Sequence, residues 1–318
     1  MTQALPTTTR HTRPVAIFYE HPVWFQPLFD ELQKRRIPFI RINAAEHTYN
    51  PAEREVPFSI LINRVSSSAY RRGNVQGIFQ SSRYIAHVER LGIPVLNGTQ
   101  AQDIEGSKAR QLELLASLAM PFPKTRIVNH LSQVIPAAKG LRFPVVIKTS
   151  LPVYNTNVRK FDTLTSLERA VSLEQISLGV DHSAIVQEYI ESRDNHIVRV
   201  ETLNGKFLYA VKVFAEKETF NLRPGSCDSE FKVEAYSPPQ HIVRDVEIIA
   251  KAARLDSGAI EYVIDSKTDQ VYYCNIVALS NFVNNPVNVI GFDPTASFVD
   301  YIEDRLWPAY EREPQLLD

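Results

Sequence analysis

The sequence predicts an α/β domain with a parallel sheet, followed by a longer α+β unit. Between residues 14 and 98, short apolar segments alternate with helical segments, which is typical of a parallel sheet that binds ligands at the carboxyl ends of its strands. After about Thr99 this regular alternation ends, and several strands follow one another in the last third of the chain. A length of 318 residues accommodates two domains with substantial cores.

The N-terminal elements follow from apolar spacing. The segment VAIFY is a short apolar strand, and FQPLFDELQKRR has its apolar residues at helical spacing. Strands are predicted at 15–19, 38–43, 58–65 and 93–97, and helices at 25–36 and 81–92. The segment 63–68 follows the third strand and is either the mouth of a substrate site or a plain polar loop.

The second unit begins at about Thr99. Helical periodicity starts at Lys108 and ends before Pro121 and Pro123, which cannot continue a helix. The further predicted strands lie at 143–150, 184–190, 196–203, 206–214 and 232–237, and the further helices at 164–173, 243–255 and 296–306. The polar ends at 1–13 and 308–318 are predicted to be tails.

Charge and cysteine content exclude several classes of protein. The formal net charge of -1 gives no electrostatic reason to expect a nucleic acid or an anionic membrane as partner. Two cysteines, Cys227 and Cys274, are too few for a disulfide framework. The N-terminal segment lacks the apolar core of a signal peptide. We therefore expect a protein of the cytoplasm.

The segment 258–282 predicts a β-hairpin, because apolar and β-branched residues flank the polar turn 265–270. Glu261 lies on the first strand, and Asn275 and Val277 lie at alternate positions on the second. The period of two places Asn275 and Val277 on one face of the sheet.

This hairpin and the order of the elements before it resemble the ATP-grasp superfamily, of the RimK-like carboxylate–amine ligase type. The resemblance implies a pre-ATP-grasp domain at 14–98, then two α+β lobes at 99–186 and 187–307 that clamp a nucleotide. In that family ATP phosphorylates a carboxylate, and an amine then displaces phosphate from the acyl phosphate. The implied partners are a nucleotide and an unidentified carboxylate or amine, either a small molecule or a peptide.

The resemblance assigns roles to the basic residues. Lys108 and Lys148 match the two lysines that contact the nucleotide phosphates, and Arg199 matches an arginine that faces the phosphates during catalysis. The alternatives are a solvated lysine at a helix start for Lys108 and a solvated arginine on an edge strand for Arg199.

The implied nucleotide hinge is Gln187-Glu188-Tyr189-Ile190, whose backbone groups would bond the adenine edge. Asp194 falls where an acid accepts the ribose hydroxyls. The alternative is that Glu188 and Asp194 are surface charges beside a turn. Cys274, in an apolar strand, is interpreted as a buried small hydrophobe.

The expected metal site departs from the family pattern. There, one acid stands on the first strand of the hairpin and the second strand reads acid-x-Asn. Glu261 keeps the first acid, whereas Asn275 replaces the second acid and Val277 replaces the asparagine. Mg²⁺ in such sites is held by one or two carboxylates together with phosphate oxygens and water. We expect Glu261 and Asn275 to form at best a weak magnesium site.

The phosphate loop departs as well. The family has a glycine-rich loop after the second lysine, since glycine permits close approach of backbone amides to phosphate. The corresponding segment 151–158 reads LPVYNTNV, without any glycine. We expect it to hold a triphosphate poorly.

Three functions remain open from sequence. The first is an ATP-grasp protein with weak or absent catalysis and residual ATP binding, acting as partner of an active paralogue or of a second copy. The second is an active ATP-dependent ligase that forms an amide or peptide bond. The third is a non-catalytic small-molecule binding protein. The two departures favour the first.

Overall fold

The computed structural model describes residues 13–21, 23–151, 158–214 and 232–306. The predicted tails and the glycine-free loop lie outside these residues, apart from Arg13, Leu151 and Val158. No helix of the described part is both long and apolar enough to cross a membrane.

The first sheet is parallel and confirms the predicted N-terminal fold class. Its order is β2-β1-β3-β4, formed by β1 (Val15–Tyr19), β2 (Phe39–Asn43), β3 (Ile60–Arg64) and β4 (Val95–Leu96). Helix α1 (Gln26–Lys34) covers one face and α2 (Val75–Arg90) the other. The last helix, α9 (Pro294–Leu306), returns to this domain and packs Val299 and Ile302 beside α1.

Two antiparallel sheets with helices form the α+β remainder, as predicted. The smaller sheet has the order β5-β8-β6-β7 and is covered by α5 and α6. Its elements are β5 (Thr125–Val128), α5 (Val134–Lys139), β6 (Val145–Thr149), β7 (Val158–Phe161), α6 (Leu164–Ser172) and β8 (Ala184–Glu188).

The larger sheet has the order β11-β10-β9-β12-β13, and α7 packs Val246 and Ile249 against one face. Its elements are β9 (His196–Leu203), β10 (Lys206–Phe214), β11 (Val233–Tyr236), α7 (Gln240–Ala252), β12 (Ser257–Ile264) and β13 (Val271–Val277). The short helix α8 (Pro286–Ile290) follows the last strand.

Helices α3 (Thr99–Gly106) and α4 (Lys108–Ser117) connect these parts. Helix α4 contacts β8, α7 and β13, so its first residue lies between the two antiparallel sheets. Ser107 ends α3 and caps α4, because its side chain accepts a 3.3 Å hydrogen bond from the Arg110 amide. This cap determines where Lys108 stands.

Several elements differ from the sequence-based expectation. Helix α2 begins at Val75 rather than at residue 81, because the Asn74 side chain caps it by accepting from the Gly77 amide at 3.1 Å. The elements α3, β5, α5, β7 and α8 were not predicted; each is short, and short segments carry a weak periodic signal. The proposed division at residues 98, 186 and 307 stays a prediction.

Candidate functional site

Glu261 and Asn275 meet in the β12–β13 hairpin. They are direct cross-strand partners, and Asn275 Nδ2 donates a 2.9 Å hydrogen bond to Glu261 Oε2. Glu261 is 3% exposed, so its carboxylate is surrounded by protein. Asp265 is not part of this pair, because it begins the hairpin turn and accepts from the Lys267 amide at 2.9 Å.

A β-bulge brings Cys274 to the same place. The pairing passes from Glu261 opposite Asn275 to Tyr262 opposite Tyr273, which leaves Cys274 as the extra residue of β13. Its thiol donates to the Glu261 carbonyl at 3.3 Å. Burial raises the pKa of this thiol to about 11, and the nearby Glu261 carboxylate adds to the effect. The residue as a whole is partly exposed, while the burial that raises its pKa agrees with the expected buried thiol.

Arg199 supplies the cation of the hairpin site. It stands on β9, the middle strand of the larger sheet, and is 7% exposed. Its Nη1 donates to Glu261 Oε1 and its Nε to Glu201 Oε1, each at 2.7 Å. Burial lowers the pKa of Arg199, but the two carboxylates outweigh burial and raise it above its usual value. The alternative of a solvated edge-strand arginine is therefore wrong.

Ser280 extends this network towards the N-terminal domain. Its hydroxyl donates to Glu201 Oε1 at 2.6 Å and accepts from Arg199 Nη2 at 2.9 Å. Its carbonyl accepts from Nη2 of Arg64, at the end of β3. Burial lowers the pKa of Arg64 to about 10, while Glu201 and Glu105 oppose that change.

Residues 63–68, for which a substrate mouth and a plain polar loop were the alternatives, connect the parallel sheet to the rest of the chain. Arg64 is buried against the second lobe, and Asn63 donates to the Asn97 carbonyl at 3.0 Å. The Glu105 carboxylate accepts from the Ser67 amide and hydroxyl, each at 3.1 Å. This segment holds the parallel sheet against the lobes.

Lys108 reaches the hairpin from the start of α4. Its backbone amide donates to Ser150 Oγ at 2.9 Å, directly after β6. Its ammonium donates to Asn275 Oδ1 at 2.5 Å and to Gln111 Oε1 at 3.1 Å. Lys108 thus joins the start of α4 to Asn275, one of the two predicted metal-site residues, and is not a solvated lysine.

Lys148 lies on β6 and faces the hinge strand. Its ammonium donates to Gln187 Oε1 at 2.8 Å, and Gln187 Nε2 donates to Thr125 Oγ1 at 2.8 Å. Burial lowers the pKa of Lys148, and the fields of Cys274 and Glu261 oppose that change.

The predicted hinge leaves a backbone donor available. The amides of Glu188 and Tyr189 donate at 2.9 Å to the carbonyls of Lys124 and Pro144. The amide of Ile190 makes no hydrogen bond within the described part of the chain. The Glu188 side chain accepts from the Arg142 amide at 2.9 Å, so its carboxylate supports the backbone beside the hinge.

Asp194 is the predicted site residue that stands apart. It is exposed and adopts a left-handed conformation, with φ 55°, in the short 3-10 helix Arg193–Asn195. No contact joins it to the network around Glu261 in the described residues. Its predicted role at a ribose stays a prediction.

The comparison with known families identifies this arrangement. The model of the RimK-like ATP-grasp domain matches residues 105–279, which include both lysines, the hinge and the hairpin. The chain belongs to the RimK-like ATP-grasp family.

Several solved structures, ATP-grasp proteins among them, have the same fold. A structure of the ATP-grasp ligase PsnB, complexed with a phosphomimetic variant of its minimal precursor, Mg and ADP, is 14% identical with a TM-score of 0.67, over 93% of this chain and 100% of that one. The RimK domain ATP-grasp protein from Sphaerobacter thermophilus DSM 20745 is 17% identical with a TM-score of 0.67, over 91% and 99%. The D-cycloserine synthetase DcsG is 16% identical with a TM-score of 0.68, over 92% and 100%.

Sequence reasoning about this ATP-grasp chain missed several members of the network. Glu201 carries a local signal, because it follows Arg199 by two positions and so shares its face of β9. Thr125, Gln111 and Ser280 come from separate elements, and only the tertiary fold brings them to the site. Arg64 was considered only as part of a possible substrate mouth, and its contact with Ser280 was not predicted.

Proposed function

We propose that this ATP-grasp protein binds a nucleotide between its lobes and has lost efficient magnesium-dependent phosphoryl transfer. One observation carries the proposal: both carboxylate oxygens of Glu261 already have protein donors. Oε1 accepts from Arg199 and Oε2 from Asn275. The chain itself thus supplies the positive charge and the hydrogen bonds that a metal ion would otherwise supply.

The side chains at this position do not fit a magnesium ion. Mg²⁺ requires near-octahedral oxygen ligands and usually one or two carboxylates. Glu261 is the single carboxylate of the hairpin pair, and the other position offers the amide of Asn275, whose oxygen accepts from Lys108. In the described part of the chain, no group of three or more His, Cys, Asp or Glu side chains is arranged to hold a metal.

Freeing Glu261 for a metal would require breaking a buried ion pair. Arg199 and Glu261 are 8% and 4% exposed at their side chains, and removing one partner of such a pair typically costs about 3–5 kcal/mol. Phosphoryl transfer depends almost entirely on positioning and charge neutralisation. A site that must first disrupt its own ion pair meets neither requirement well.

The remaining groups fit the phosphates and base of a nucleotide. Lys148 and Lys108 direct two ammonium groups at the region between the lobes, and an ammonium is a natural partner of phosphate oxygens. Ile190 offers a backbone donor at the hinge. When bound, ATP would supply the phosphoryl group in an active relative; here these residues would bind and orient the nucleotide.

An active ligase is the second candidate, and the completeness of the fold favours it. The chain matches ATP-grasp ligases over more than nine-tenths of its length, and it retains two lysines and one acid at the predicted positions. The substrates would be a carboxylate and an amine. A peptide belongs in any substrate panel, because PsnB and the macrocyclase MdnC from Microcystis aeruginosa were solved with their precursor peptides.

Measurement of ADP formation separates the two candidates. The wild type is incubated with ATP, Mg²⁺ and a panel of amino acids, small acids and peptides, beside Asn275→Asp/Val277→Asn and Glu261→Ala. We expect the wild type to form no substrate-dependent ADP. When nucleotide binding is measured in parallel, we expect it to depend on magnesium only in the double variant. Substrate-dependent ADP formation by the wild type that Glu261→Ala abolishes would overturn the proposal.

A further inference from the structure

The ammonium of Lys148 is paired with a neutral amide rather than with an acid. It donates to Gln187 Oε1 at 2.8 Å. None of the ion pairs between described residues includes Lys148. A buried charge is costly to leave uncompensated. The Lys148 ammonium is therefore suited to bind an anion from outside the chain.

The orientation of the Gln187 amide is determined by the groups behind it. The Thr125 hydroxyl donates to the Pro123 carbonyl at 2.5 Å, so its oxygen is left to accept. It accepts from Gln187 Nε2 at 2.8 Å. Since the amide nitrogen faces Thr125, the amide oxygen must face Lys148. Three hydrogen bonds in one direction therefore position the ammonium.

The three hydrogen bonds that run from Lys148 through Gln187 and Thr125 to Pro123 form a relay, and the strand pairing makes this relay rigid. Gln187 is 3% exposed on β8, between Thr125 of β5 and Val146 of β6. A side chain on a central, buried strand has few alternative rotamers open to it. The relay thus holds Lys148 by a group of nearly the size of a glutamate, but without its charge.

We propose that Gln187, held by Thr125, is a positioning residue that keeps the positive charge of Lys148 available for an anionic ligand. This rests on the proposed function and adds to it the side-chain role of Gln187 and Thr125 in binding the phosphate groups of a nucleotide without a divalent cation. A glutamate at position 187 would form a buried ion pair with Lys148 and cancel the charge. At position 125, a side chain without the hydroxyl would no longer accept a hydrogen bond from Gln187 Nε2, and the amide of Gln187 would lose its fixed orientation.

A series of ligands of rising charge tests the inference. Adenosine, AMP, ADP and inorganic pyrophosphate are titrated calorimetrically in EDTA into the wild type, Gln187→Glu, Thr125→Val and Thr125→Ser. Loss of one charge-assisted contact predicts that Gln187→Glu weakens ADP binding about tenfold or more. Thr125→Val weakens ADP binding to a smaller degree, Thr125→Ser restores it, and adenosine affinity stays within about twofold throughout.

The opposite results are equally specific. The inference is overturned if Gln187→Glu binds ADP as tightly as the wild type, or if adenosine weakens in step with ADP. It is also overturned if neither ADP nor pyrophosphate binds the wild type. If Gln187→Glu fails to fold, the contrast between Thr125→Val and Thr125→Ser decides the matter. Magnesium-dependent ADP formation would refute the proposed function and leave this contrast untouched.

Discussion

Asn275 donates its side-chain amide to the carboxylate of Glu261, its direct neighbour across the hairpin, over 2.9 Å. Two acids at these positions would repel each other and call for a cation between them. An amide facing an acid attracts it instead. With an amide at position 275, the two side chains of the hairpin hydrogen-bond to each other directly, and Arg199 balances the negative charge of Glu261.

Arg199→Met should destabilise the fold strongly. Methionine preserves much of the length of the side chain but leaves Glu201 and Glu261 buried without their shared cation. We expect the free energy of unfolding to fall by about 3–5 kcal/mol. Urea denaturation followed by circular dichroism measures this change.

Lys206→Met is the matched control. It removes a cation from a comparable 3.0 Å ion pair with Glu247, but the Lys206 side chain is 63% exposed. Exposed pairs contribute about 0–1 kcal/mol. Equal losses in the two variants would contradict the structural role assigned to Arg199.

Cys274 should react slowly with alkylating reagents, and its rate should keep rising with pH. Because burial raises the pKa of its thiol to about 11, the thiolate fraction grows about tenfold per pH unit from pH 7 to 10. An ordinary cysteine levels off above about pH 8.5. The rate of modification by iodoacetamide in a Cys227→Ser background measures this.

Alkylation of Cys274 also reports whether a nucleotide is bound at the proposed site. ADP should slow the alkylation of Cys274, because Lys108 contacts the neighbouring Asn275 and a nucleotide held by Lys108 would cover this part of the hairpin. Mg²⁺ should not change the protection. Lys148→Met should remove most of the protection. Protection that appears only with Mg²⁺ would contradict a metal-free site.

His47 should make the protein less stable in mild acid. Burial among Phe18, Tyr49 and Tyr84 lowers the pKa of His47 below 6.5. The unfolded chain then binds more protons than the folded one between the two pKa values. The contribution of neutral His47 to the free energy of unfolding is fully present above pH 6.5. It is lost as the pH falls from there towards the pKa of His47 in the folded state, by no more than about 1.4 kcal/mol per pH unit.

Urea denaturation at pH 7.5 and 5.5 checks this prediction. His47→Phe should lose less stability between the two pH values than the wild type. His241→Gln, which changes an exposed histidine of α7, should lose as much as the wild type. A His47→Phe variant with wild-type acid sensitivity would show that His47 does not titrate in this way.

Local patterns predicted the hairpin and placed Glu261 and Asn275 on its two strands, whereas their pairing was an expectation from the family resemblance. The period of two is a property of the strand itself, and the polar turn limits the register. The bulge at Cys274 could not be predicted, because it inserts a residue without any sign in the sequence.

Long-range partners could not be predicted in the same way. Arg64 and Ser280 lie 216 positions apart and meet only because the parallel sheet packs on the second lobe. The relay from Pro123 to Lys148 depends on β5, which was not predicted. The chemical type of each residue was visible in the sequence, whereas its partner was a product of the fold.

The affinity for ADP, measured by calorimetry with Mg²⁺ and again with EDTA, tests the central claim most directly. If Arg199 and Asn275 replace the metal at Glu261, the dissociation constant should agree within about twofold in the two buffers. The Asn275→Asp/Val277→Asn variant should bind more tightly with Mg²⁺. A wild-type affinity about tenfold or more tighter with Mg²⁺ would contradict the account.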